Sequence, residues 1–100
     1  MINAERLAWD AARAVVRLLE DDRYEWLSTR IGALLGPERQ LALSDSYTRM
    51  SWSARSDASM VEAGLWRAQL VDLLHARPEL ADPVRQLIEE AHAALQVDAR

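Results

Sequence analysis

Two histidines, His75 and His92, enclose a run that also holds Glu79, Asp82, Glu89 and Glu90. Imidazole titrates near neutral pH and ligates metals, and carboxylates orient it, so such a run is the first place to look for metal or acid/base chemistry. A zinc site usually takes three or four ligands, often with two at i and i+4 or in a short Cys/His spacing, and neither pattern occurs. A carboxylate-bridged centre in a helical bundle needs repeated Glu-x-x-His motifs projecting inward. Glu89 and His92 have that spacing once. Helical periodicity sets His75 off the Trp66–Leu70–Leu74 stripe and His92 beside Arg85 and Glu89, so both histidines are expected in solvent, with Glu89 and His92 as a surface pair. No metal, cofactor or catalytic residue is expected here.

Other chemistry finds less support. There is no cysteine, which excludes disulfides and thiolate catalysis. The three glycines form no phosphate-cradling loop, and no G-x-S-x-G elbow accompanies the serines. Ser44, Asp45 and Ser46 read as one polar helix face.

The elements that carry these residues follow from composition and spacing. A chain of 100 residues, half of them hydrophobic, has room for one core. With three glycines and three prolines against abundant alanine, leucine and arginine, the class is all-α, a single domain of about five helices. They are expected over roughly 4–20, 23–35, 38–53, 57–76 and 83–96. Asn3 caps the first, which carries a Leu7–Ala11–Ala14–Leu18 stripe beside a Trp9–Ala12–Val16–Leu19 stripe. Only a narrow polar arc remains, containing Arg6, Asp10, Arg13, Arg17 and Glu20. So wide an apolar arc asks for more cover than one neighbour supplies.

Asp22 with Glu25 resembles a capping box opening the second helix, and Gly36 followed by Pro37 closes it. Leu43, Tyr47, Met50 and Ala54 share one face of the third helix, with Leu41 and Trp52 opposite. The polar "SARSDAS" at 53–59 reads as a loop. Ala63, Trp66, Leu70, Leu73 and Leu74 form the main stripe of the fourth helix, which looks central to the domain. Pro78 stops it. Asp82 caps and Pro83 opens the fifth, whose stripe is Leu80, Val84, Leu87, Ile88, Ala91 and Leu95. The residues after Gln96 are expected to fray.

"DRYEWLSTRIGALLG", a polar segment, and then "LWRAQLVDLLHARPELADPVRQLIEEA" resemble the short Ala/Leu/Arg-rich helical proteins common in high-GC actinobacteria. The resemblance covers most of the chain and implies a helical fold. It carries no catalytic residue. A GC-rich genome also accounts for all twelve basic residues being arginine.

Function is therefore sought on the surface. Trp66 belongs to the core, while Trp9 sits at the edge of its apolar arc beside Arg6 and Arg13, Trp26 lies off its stripe between Arg23 and Arg30, and Trp52 lies opposite the Tyr47–Met50 face, as rim residues under guanidinium stems or as anchors for another protein. The expected role is a non-enzymatic interaction module, an adaptor, regulator or inhibitor, that binds a partner or itself. Its candidate contacts are Trp9, Val16, Trp26, Trp52, Arg6 and Arg13. A homodimer through the alanine-rich first helix is its concrete form. The alternatives are a nucleic-acid-binding regulator using Arg6, Arg13 and Arg17, which a net charge of -4 disfavours, and, last, an enzyme using His75 or His92. Charges at Arg6, Asp10, Arg13 and Arg17 argue against a signal peptide, and no apolar run approaches a bilayer's width, so the expected setting is cytoplasmic.

Overall fold

The computed structural model describes residues 3–53 and 56–97 and contains five α-helices, with no strand among the described residues. These are α1 (Ala4–Glu20), α2 (Tyr24–Leu35), α3 (Pro37–Trp52), α4 (Ala58–Ala76) and α5 (Ala81–Val97), with a 3-10 turn, Pro78–Leu80, before α5. The all-α class and the five-helix architecture are thus as expected, with boundaries within two residues. Ala54, the expected fourth member of the α3 face, and the residues after Val97 lie outside the described residues.

The centre of the molecule is α1. It packs against α4, α5 and α2, and one buried cluster joins residues of all five helices. Ala8, Ala11, Ala12 and Ala14 put almost nothing between the α1 backbone and its neighbours, while Val15, Leu18 and Leu19 fill the remaining space. The surplus of apolar surface expected on this helix is consumed within the chain. Val16, a candidate partner contact, is 5% exposed. A surface dimer through the alanines has no face left to use. The expectation that α4 is central also gives way, because α4 buries Ala63, Trp66, Leu70 and Leu74 on one side and leaves Val61, Leu65 and Ala68 in solvent.

Helix ends follow local rules, with two corrections. Asn3 caps α1 through its Oδ1, which accepts from the Arg6 N–H at 3.0 Å. At the other end the Arg23 N–H bonds the Leu18 carbonyl at 2.9 Å and the Asp22 N–H bonds the Leu19 carbonyl at 3.3 Å. That pair of bonds is a Schellman closure, and Asp22 occupies its left-handed position at φ 58°. Asp22 therefore closes α1 and is not the cap of α2, whose N-cap is Arg23 with no side-chain cap bond. Aspartate reaches this conformation more readily than most residues. Likewise α5 starts at Ala81, so Asp82 and Pro83 sit inside its first turn and Asp82 accepts from Arg85 at 2.6 Å. The 3-10 turn ahead of it makes a separate cap unnecessary.

Gly36 joins α2 to α3 as a single residue, with φ 98° and ψ 172°. That combination lies in a region essentially reserved for glycine. A Cβ there would meet nothing within 4 Å, so the restriction is one of backbone conformation alone. Gly64, inside α4, also has open space around it and carries no such constraint. Gly36→Ala should cost about 1–3 kcal/mol. Gly64→Ala should stabilise by about 0.5–1 kcal/mol, the helix-interior difference between the two residues. Urea denaturation reads both, as midpoint shifts in opposite directions at constant m-value.

Candidate functional site

The seam between α3 and α4 holds the chain's most enclosed polar cluster. Ser46 is fully buried, and its Oγ accepts from the Trp66 indole N–H at 2.8 Å and from Arg49 Nη2 at 3.3 Å. Arg49 then grips Glu62 with two bonds, Nε to Oε2 at 2.9 Å and Nη2 to Oε1 at 2.8 Å. Glu62 is 4% exposed, so an unpaired charge there would be costly, and the planar guanidinium fork supplies the needed compensation. The Arg49 fork holds the Glu62 carboxyl below the usual range, burial opposes this, and a bond from the Ser46 hydroxyl assists it. Arg39 Nη1 adds a bond to Gln69 Oε1 at 2.7 Å further along. The pairings Arg39–Gln69, Ser46–Trp66 and Arg49–Glu62 run in opposite senses along the two sequences, so α3 and α4 are antiparallel.

Ser46 was expected on a solvated polar face together with Ser44 and Asp45. Its burial is the correction: the hydroxyl oxygen accepts the indole N–H that Trp66 carries into the core. Among the described residues, no buried side-chain nitrogen or oxygen lacks a partner.

A second fork, between Arg30 on α2 and Glu90 on α5, closes at 2.6 and 3.0 Å and is supported by Gln86 Nε2 at 2.9 Å. These bonds hold Glu90 below its ordinary range, the one from Arg30 most strongly. At the α2–α3 end, Tyr24 and Tyr47 stack at 4.6 Å and the Tyr47 hydroxyl donates to Asp22 at 3.1 Å.

The candidate surface residues scatter. Trp9 is half-buried against the core with the Arg13 guanidinium carbon 4.8 Å from its ring centroid, so the two form a cation–π lid over α1. Trp26 is half-buried against the same core. Arg6, Arg13 and Arg17 are exposed along α1, with Asp10 between them. His75 and His92 are exposed, and no group of three or more potential metal ligands occurs among the described residues. His75 borders an open depression with Asn3, Glu5, Leu74 and Pro78, where Glu5 is already engaged by Arg67 at 3.0 Å.

Trp52 stands apart, at 85% exposed. Among the described residues, the other large apolar side chains left in solvent are Leu41 on α3 and Met60, Val61 and Leu65 on α4. The spacing that set Leu41 and Trp52 opposite the Tyr47–Met50 face already pointed to the α3 half of this patch. The α4 half was hidden by the expectation of a central α4, which would have covered it. No helix among the described residues is long and apolar enough to cross a membrane. Comparison with protein-family models, curated proteins and solved structures finds no match for this chain.

Two measurements check the seam. Ser46→Ala strands the Trp66 N–H in the core and should cost about 1–3 kcal/mol in denaturant unfolding. Glu62 and Glu90 titrate lower folded than unfolded, so their stabilisation is present above about pH 4.5 and is lost as pH falls through the lowered folded values. In Arg49→Ala, Glu62 keeps its burial and loses its fork. With burial now raising its folded value, Glu62 should no longer contribute to the acid-side decline, so the Tm deficit of the variant should be largest near neutral pH and narrow as pH falls through the carboxylate range.

Proposed function

We propose that this chain is a non-enzymatic protein–protein interaction module, an adaptor, regulator or inhibitor, that docks through the outer face of α3 and α4. The observation that carries the reading is the segregation of exposed large apolar side chains. Leu41, Trp52, Met60, Val61 and Leu65 all belong to these two helices, and Trp52 leaves 85% of its surface in water. Single exposed apolar residues are ordinary, whereas a group of them on adjacent helices is the usual mark of a contact surface. Tryptophan is also the side chain most enriched among residues that dominate interface energies.

This relocates the role from α1, whose apolar arc is occupied, to a face with no cover of its own. Trp9 and Trp26 leave the set of anchors on the same grounds, since each already packs against the core. Arg6 and Arg13 leave it with α1. We further propose a cytoplasmic setting for this module.

The test is a pair of substitutions. Trp52→Ala should change unfolding free energy by no more than about 0.5 kcal/mol, as surface substitutions do, whereas Trp66→Ala should cost about 3–5 kcal/mol. Affinity purification from the native host, with Trp52→Ala and Leu65→Ala as parallel baits, should lose the same bound protein from both variants. Sedimentation of the purified chain addresses a second copy as that protein. If every bound species and every oligomer is indifferent to both substitutions, the reading fails.

A further inference from the structure

We infer that the occupant of this face is an amphipathic helix of another protein, about three turns long, with basic residues flanking its apolar stripe. The inference rests on the interaction reading above and adds the chemistry of the partner. Helical repetition lines up Leu41, Asp45, Thr48 and Trp52 along the solvent side of α3, and Val61, Leu65, Ala68 and Asp72 along that of α4; all eight are exposed. Between the two stripes runs the seam closed by Arg49 with Glu62 and by Arg39 with Gln69. Each stripe lies on the opposite side of its helix from the residues that enter the core, Leu43 and Tyr47 on α3 and Trp66 and Leu70 on α4.

Geometry selects the shape of the occupant. Two packed helices lie about 8–10 Å apart, so their outer ridges frame a shallow furrow that a third helix fills by ridge-into-groove contact. From Leu41 to Trp52 is about 16 Å at the helical rise, which a helix of three turns spans. An apolar stripe repeating at i, i+4 and i+7 on the incoming helix meets Trp52 and Leu41 on one side and Val61 and Leu65 on the other.

Charge selects its composition. The charged members of the two stripes are Asp45 and Asp72, both carboxylates, with no cation on either stripe among the described residues. The nearest arginine, Arg49, is bonded to Glu62 and also feels the charge of Asp45. A second copy of this face would set carboxylates against carboxylates, on a chain whose net charge is -4. Like-charge opposition disfavours that pairing, while arginine or lysine beside the apolar stripe of a partner complements Asp45 and Asp72 and speeds its encounter.

The experiment selects binders from a displayed library of helix-forming peptides, randomised at both the apolar and the flanking positions, against the whole purified chain. Recovered peptides should carry arginine and lysine on their flanks and lose at least tenfold in affinity for Trp52→Ala, with circular dichroism confirming that the variant is folded. Asp45→Asn and Asp72→Asn should each weaken binding by about 1.5- to 5-fold, an effect that added salt removes. Recovered peptides with acidic or uncharged flanks that still depend on Trp52 would overturn the inferred partner chemistry and leave the docking face intact. Peptides indifferent to Trp52, or no peptide from a chain that stays monomeric in sedimentation, would overturn both. A Trp52-dependent dimer in sedimentation, with no peptide recovered, would make a second copy the occupant and overturn the inference.

Discussion

Small side chains along α1 set the distance at which the rest of the molecule can close. With alanine at positions 8, 11, 12 and 14, α4 and α5 approach one helix from different sides, and Val15, Leu18 and Leu19 interlock with what they bring. An α1 carrying larger residues would hold those helices apart and open voids that a core of native density does not tolerate. Because α1 takes up the inner faces of α4 and α5, their outer faces are what the molecule presents to solvent. The exposed patch on α4 is a consequence of how completely α1 is enclosed.

The attachment of α3 follows a different principle. It buries only Leu43 and Ser46 among its described residues, against eight buried residues in α1. A fully buried leucine contributes roughly 1.5–3 kcal/mol, so α3 also depends on α2, through the Tyr24–Tyr47 stack and the bond from Gln40 to the Ser28 carbonyl, and on the seam with α4. Ser46, Trp66, Arg49 and Glu62 supply the rest by direction rather than area. Arg49 Nη2 serves both Ser46 and Glu62, and the cost of breaking any bond in the set is the desolvation of the group left behind. The seam thereby holds α3 in one register on α4 and keeps the line of Leu41 and Trp52 beside that of Val61 and Leu65.

Much of this was legible from residue spacing, and the failures have identifiable causes. Gly36 and Pro37 announce their junction because one supplies a backbone conformation and the other lacks a donor, both local properties. Trp66 reads as core from its own stripe. Leu41 and Trp52 read as opposite the Tyr47–Met50 face for the same reason. What spacing does not carry is how many neighbours a helix acquires, so the arc of α1 looked like surplus and α4 looked like the hub. Asp22 was misread because one residue between two helices can close the first or open the second, and only the bonds to Leu18 and Leu19 decide. Ser46 was misread because its partner lies twenty residues away in Trp66. A serine next to another serine and an aspartate gives no sign of that.

The four tryptophans occupy unlike surroundings: Trp66 sealed and hydrogen-bonded, Trp9 beneath a guanidinium, Trp26 at the core's edge, and Trp52 in water. Their ultraviolet emission is accordingly a composite in which one fluorophore is open to a dissolved quencher such as iodide and another is shielded from it. Anything that settles over Trp52 dims the quenchable fraction and moves its colour toward the blue while leaving the Trp66 signal as it was. The molecule thus carries an optical report on its outer face with no dye attached.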